Sequence, residues 1–129
     1  MPRFSARSLE ALHTCHRDLQ TLFKTVVHHN DCSVLCGFRD EIAQNMAFSV
    51  GQSKLIWPKS KHNKTPAMAV DVVPYPVDWN DVNGFYHFAG YVKGVAEMLH
   101  YEGLMTHRLK WGGDFEGLFD GPHFELIGV

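Results

Sequence analysis

The sequence predicts an α+β fold, a single small domain in which a mainly antiparallel sheet of about four strands packs against three helices. Three observations lead there. At 129 residues the chain suits one domain and can bury a core without disulfide or metal staples. Some stretches repeat apolar residues at three- and four-residue steps, as helices do, whereas others are short β-compatible runs bounded by turn residues. The two kinds do not alternate regularly, and that order suggests α+β. No repeat, low-complexity tract or long linker divides the chain.

Taken in order, Leu9, Leu12, His16, Leu19, Leu22, Phe23 and Val26 form the first stripe, with Ser8 as its N-cap and an end near His28-His29-Asn30-Asp31. Cys32 to Phe38 is short, apolar and reads as a buried strand. A second helix is expected from Asp40 to about Val50, stopped by Gly51. Residues 52–66, with Pro58, Pro66 and many polar groups, read as a long loop, and loops of that length in a small domain are often functional. Met68 to Val73 reads as a core strand ended by Pro74 and Pro76. The longest stripe follows, Val82, Phe85, Phe88, Ala89, Val92, Val95, Ala96 and Leu99, capped by Asn80 or Asp81 and ending near Gly103. A strand from Thr106 to Trp111, turns from Gly112 to Pro122 and a last strand from His123 to Ile127 complete the chain.

Composition narrows the function. Hydrophobic residues are 45% and charged residues 20%, an ordinary globular balance that argues against disorder. A net charge of −2 gives a nucleic-acid partner no global electrostatic support. Lys54, Lys59, Lys61 and Lys64 fall in eleven residues without an acid, as either a solvated loop or a rim for carboxylate-bearing substrates. Cys15, Cys32 and Cys36 form no CxxC pair and read as small buried residues of a reduced compartment. No apolar signal region opens the chain, and no run approaches the ~18 residues of a membrane span. The expected protein is therefore made in the cytoplasm as a soluble monomer.

Nine histidines make chance motifs easy, so context decides between them. His28 and His29 sit at a helix end, where the dipole favours a cation. His13, His16, His87 and His100 lie on or beside helical stripes and read as surface or core histidines, whereas His107 opens a strand and its context carries no information. His62 and His123 differ. The first lies in the polar loop ahead of a strand whose middle holds Asp71 among Ala69, Val70, Val72 and Val73. A carboxylate there needs a partner to offset its desolvation. Two imidazoles and one carboxylate on Zn²⁺ leave one tetrahedral position open, the arrangement of a catalytic site, and leave the ion at +1. Asp120 precedes His123 by three residues across a Gly-Pro turn, which can aim its carboxylate at that open position.

Several stretches carry a resemblance: Gly37-Phe-Arg39 with Gln44 and Gly51-x-Ser53, Ser60-Lys-His62 through Ala69-Val-Asp71, Trp111-Gly-Gly-Asp114, and Asp120-x-x-His123-Phe-Glu-Leu126. Together they resemble the VanY-type zinc peptidases, and most nearly the phage endolysins that act as L-alanyl-D-glutamate endopeptidases. The resemblance implies one zinc held by His62, Asp71 and His123, with Asp120 as general base. It also implies that Arg39 holds a substrate carboxylate or transition-state oxygen, although an ion pair with Asp40 or Glu41 is the alternative. Ser53, Ser60, Gln44, Trp111 and Glu125 are weaker candidates for substrate binding or for support of the ligands; Glu125 is also a rival base. The family's S-x-H-x2-G-x-A-x-D motif is departed from, because nine positions separate His62 from Asp71 instead of seven. Two residues must then bulge from the loop. What the resemblance implies overall is one peptidase catalytic domain over residues 1–129 without a wall-binding domain. Its partner would be the peptidoglycan stem peptide, reached in the periplasm after a holin opens the membrane. A D-Ala-D-Ala carboxypeptidase, or a non-catalytic wall-binding or phage structural module with a zinc site, are the alternatives. Asp rather than Glu at 120 favours the endopeptidase.

Overall fold

The first amphipathic stripe folds as two helices, not one. In the computed structural model, which describes residues 2–128, α1 spans Ala6–Leu12 and α2 spans Arg17–Val26. Periodicity could not reveal the break because the apolar face continues across it. Its cause is tertiary: the Ala67 N–H donates to the Thr14 carbonyl (3.0 Å), and the His16 N–H donates to the Ala67 carbonyl (2.8 Å). Residues 14–16 leave the helix to pair with Ala67, and His16 becomes the N-cap of α2, its Nδ1 accepting from the Asp18 N–H (2.9 Å). Ser5 rather than Ser8 caps α1, while Ser8 is buried and its hydroxyl accepts from the Val34 N–H (3.0 Å).

The remaining elements follow the expected order. Strand β1 is Cys32–Cys36, and α3 is Glu41–Ser49, capped by Asp40 through the Ala43 N–H (2.8 Å). The helix ends at Gly51, whose φ of 81° a side chain would resist. The long loop contains one 3₁₀ turn, Lys61–Asn63. Strand β2 is Ala69–Pro74, and helix α4 is Val82–Tyr101 with Asp81 as the cap. Strand β3 (Arg108–Trp111), a second 3₁₀ turn (Gly112–Asp114) and β4 (His123–Ile127) follow. With the first stripe divided, there are four α-helices among the described residues.

The sheet order is β1-β2-β4-β3 and every pairing is antiparallel. On β2 and β4 alternation sends Val70, Val72, Phe124 and Leu126 into the core and turns Asp71, His123 and Glu125 to the opposite face. Phe124 is fully buried, with Phe23 of α2 and Phe88 of α4 edge-on to it at 5.4 and 6.1 Å. Such geometry adds about 0.5–1.5 kcal/mol per pair to the area buried. The core face thus anchors the central strands against α2 and α4, and the other face is left for the polar residues. Among the described residues no helix is long and apolar enough to cross a membrane.

Candidate active site

Register makes the site. Asp71 on β2 lies directly opposite His123 on β4, and a bulge between Val34 and Cys36 sets Cys36 opposite Asp71 from the other side. The 3₁₀ turn then brings His62 over the same carboxylate. Ser60 holds that turn, accepting from the His62 N–H (3.1 Å), and Asn63 returns a bond to the Ser60 N–H (3.1 Å). Lys64, Thr65 and Pro66 are exposed between buried Asn63 and buried Ala67, so the extra length of this segment stands out in solvent.

His62 Nε2 is 3.3 Å and His123 Nδ1 3.4 Å from the same atom, Asp71 Oδ1. The imidazole centroids are 5.2 Å apart. The far nitrogen of each ring is already committed. His62 Nδ1 donates to the Gly37 carbonyl (2.8 Å), which can only accept, and His123 Nε2 donates to Glu125 Oε1 (2.8 Å). In the neutral rings two lone pairs therefore converge on a carboxylate oxygen, which repels them unless a cation lies between. Protons or a metal ion can serve. Burial opposes charge on His62, yet its hydrogen bonds to Asp71 and Cys36 outweigh this and push the imidazole up to about 10. His123 is raised for similar reasons, burial being outweighed by Asp71 and Glu125. Burial would lift Asp71, but the two histidines hold it well below the usual carboxylate range. This donor set fits a divalent ion of the zinc type, with each histidine oriented by an outer acceptor.

Two further groups surround these three. Arg39 Nη2 is 3.5 Å from Asp71 Oδ2, and Nη1 donates to Gln44 Oε1 (3.0 Å). Arg39 thus pairs with Asp71 rather than with Asp40 or Glu41. Gln44 is fully buried and does not line the cleft; its amide also reaches Ser53 Oγ (3.0 Å) and the Leu55 carbonyl, and its oxygen accepts from Asn63 (3.1 Å). It ties α3, the long loop and the His62 turn to Arg39. Asp120 Oδ2 lies 3.9 Å from His123 Nδ1, the nitrogen that faces Asp71. Burial raises the Asp120 carboxyl, the charge of His123 lowers it and that of Asp71 raises it, with a net rise.

Glu125 grips His123 and is itself gripped by Lys61, whose Nζ is 3.2 Å from Oε2 and donates to the Leu126 carbonyl (2.6 Å). Burial favours a neutral Glu125, but His123 and Lys61 keep it ionised. This makes it a brace for His123, and a base role would cost that brace. Glu125→Gln should weaken the affinity of the cluster for added zinc by about 10–100-fold if Glu125 orients His123 as a ligand, measured by competition with a chromophoric chelator; unchanged affinity would count against the brace. Trp111 does not line the cleft. It is 1% exposed and donates its indole N–H to the Gly121 carbonyl (2.7 Å), fixing the turn that carries Asp120. Gly112 packs so closely behind that turn that a side chain there would collide with the Asp120 carbonyl.

A cleft of about 660 Å³ opens over these groups, lined by Arg39, Ser53, Ser60, His62, Asp71, Asp120, His123 and Glu125. Its apolar walls, Trp79, Phe115 and Leu118 among them, carry no pattern that sequence reading could single out. Burial pushes Cys15 and Cys32 up to about 12, as small core residues. Cys36 is closer to the chemistry than its sequence context suggests. With His62 and Asp71 it brings three donor atoms within 4.8 Å, but its Sγ lies 4.0 Å from His62 Nδ1, the nitrogen taken by Gly37. A second compact donor group, His16, Asp18 and His107, serves the fold. Asp18 Oδ2 accepts from the N–H groups of Thr106 and His107 and from His107 Nδ1, and His16 Nδ1 caps α2. His13, His28, His29, His87 and His100 lie outside the cleft.

No curated protein matches the chain in sequence. Among solved structures it is similar to the L-Ala D-Glu endopeptidase ChiX of Serratia marcescens, at 29% identity and a TM-score of 0.78, over 98% of this chain and 91% of that one. The model of the phage L-alanyl-D-glutamate peptidase family matches residues 1–127. With that match running through the whole sheet and every residue of the cleft, the chain belongs to the phage L-alanyl-D-glutamate peptidase family.

Proposed function

We propose that this peptidase is a zinc enzyme that hydrolyses the L-Ala–D-Glu bond of peptidoglycan stem peptides, and that it acts as an endolysin on the host wall. The observation that carries the reading is the convergence of His62 Nε2 and His123 Nδ1 on one oxygen of Asp71, with both far nitrogens locked. Family membership supports the bond, and ChiX is named for the same one.

His62, Asp71 and His123 would hold the ion, and Glu125 and Gly37 would keep the two rings aimed at it. When bound, the ion supplies Lewis acidity, which polarises a scissile carbonyl and lowers the pKa of water towards ~7. Asp120 takes the proton from the attacking water as it adds to the carbonyl carbon. The same carboxyl returns that proton to the departing amine nitrogen as the C–N bond breaks. Arg39 brings a fixed positive charge beside the reacting carbonyl and stabilises the oxyanion. Its orientation depends on Gln44, a reason for a buried glutamine with every polar atom bonded.

Zinc stoichiometry together with product masses from digested muropeptides tests the whole reading. One zinc per chain and release of an amino-terminal D-Glu are expected; loss of the terminal D-Ala alone would make it a carboxypeptidase instead. Chelator-sensitive clearing of permeabilised Gram-negative cells tests the lytic role, and an inert wall-binding module would clear none. Zinc affinity should also rise with pH. Below about 10 His62 carries a proton that the ion must displace, so the apparent association constant gains roughly tenfold per pH unit for each proton released. Calorimetry in buffers of different ionisation enthalpy measures that release, and binding without it would contradict the assigned ligands.

A further inference from the structure

The four lysines of the long loop are separated by the fold. Lys61 is committed to Glu125 and Leu126. Lys64 borders a different hollow, with Thr65, Met68 and His107. Lys54 and Lys59 are exposed and line the catalytic cleft. Among the described residues neither has an ion-pair partner; the lysine pairs are Lys61–Glu125 and Lys93–Asp114. Lys54 also borders a shallow hollow with Lys110, Asp114 and Glu116, yet no carboxylate comes within ion-pair distance of it, and Asp114 is taken by Lys93 at 2.7 Å.

Both lysines stand on anchored backbone. Lys54 is flanked by Ser53 and Leu55, each bonded to the Gln44 amide. Lys59 lies between Trp57, whose N–H donates to Asn45 Oδ1 (3.1 Å), and Ser60, which caps the His62 turn. Their backbone positions beside the cleft are therefore set by the same buried glutamine and the same turn. Uncompensated cations on the wall of a cleft attract and orient anionic ligands there.

The stem peptide carries its anions on one side only. On the leaving-amine side of the L-Ala–D-Glu bond lie the free α-carboxylate of the γ-linked D-Glu and the carboxylates of the diamino acid and terminal D-Ala. The alanyl side is uncharged. Resting on the function proposed above, we infer that Lys54 and Lys59 form the subsite that seats the carboxylates of the leaving segment, so that this wall fixes the direction in which the stem peptide lies in the cleft.

The test uses the zinc-loaded protein and two muropeptide substrates, one with free carboxylates on D-Glu and the diamino acid, the other amidated at both. Exposed pairs of this kind are worth about two- to fivefold in binding each. The native chain should cleave the free-acid substrate with kcat/KM about tenfold above the amidated one. K54M/K59M should abolish that preference by raising KM for the free acid, with kcat and the amidated substrate little changed. K64M removes the same charge from outside the cleft and should keep the preference. The subsite is overturned if K54M/K59M retains the native preference, if both substrates lose equally, or if K64M has the same effect. If product masses show a different bond cut, the proposed function fails and the inference falls with it. A native enzyme that cuts the L-Ala–D-Glu bond in both substrates equally well overturns the wall alone.

Discussion

Replacing Asp120 by alanine is expected to lower turnover by about 10²–10⁴-fold while the purified protein keeps its zinc. The carboxylate sits on the turn before β4, one-third exposed, 3.9 Å from the nitrogen of His123 that faces the ligand cluster. The turn is held by the Asp120 N–H on the Gly112 carbonyl (3.1 Å), the His123 N–H on the Asp120 carbonyl (3.1 Å) and the Trp111 indole on the Gly121 carbonyl (2.7 Å), and the substitution spares all three. Stability should thus change little, and metal content and thermal midpoint serve as controls. The base must be ionised to act. Because its carboxyl is raised by burial and by the charge of Asp71, activity should fall with decreasing pH above the usual carboxylate range. Near-native hydrolysis of muropeptides by this variant would remove Asp120 from the mechanism.

His123→Ala should have a comparable effect on activity by another route, the loss of the metal itself. One of three donors disappears, and Glu125 and Asp71 each lose a hydrogen-bond partner. The drop in zinc affinity should exceed the roughly 100-fold that loss of an outer partner can cause. A ligand that binds only the folded state stabilises by RT ln(1 + [L]/Kd), about 4 kcal/mol at a thousandfold excess over Kd. Zinc should therefore raise the melting temperature of the native protein and leave that of His123→Ala unmoved. The variant should still fold, because Asp71 retains His62 and Arg39 and the core face of β4 is intact. An unchanged zinc response would sink the ligand assignment. Asp120→Ala and His123→Ala then form a pair that separates chemistry from metal binding, since only the second should silence the zinc-induced shift.

Much of the architecture was legible because it depends on local periodicity. The stripe from Phe85 to Leu99 packs along α4 as its spacing predicts, with Val95 half-buried, and the runs read at 32–38 and 68–73 contain the strands Cys32–Cys36 and Ala69–Pro74. Asp71 was legible as an anomaly, since a carboxylate amid valines demands a partner whatever the fold. The break at residues 13–16 was not, because a hydrogen bond to Ala67 from more than fifty residues away outcompetes helix continuation. Trp111 gave no clue to whether it faced substrate or core; the Gly121 carbonyl decided for the core. Nor could Lys61 be told from Lys54 and Lys59 in a single basic run, since the difference is that Lys61 alone meets Glu125 and Leu126 of β4.

By itself the sequence determined the α+β class, the approximate strands and helices, and which residue types could bind a metal and move a proton. These follow from apolar spacing and from the desolvation cost of a buried acid, properties that belong to a short stretch of chain. Only the tertiary structure decided that His62 Nε2 and His123 Nδ1 face one oxygen of Asp71, that Glu125 and Gly37 lock the other nitrogens, and that two lysines of four face the cleft unpaired. Those facts depend on antiparallel register, a bulge in β1 and one capped turn. The turn closes within residues 60–63, but the register and the bulge are fixed by packing between segments far apart in sequence, which no local pattern encodes.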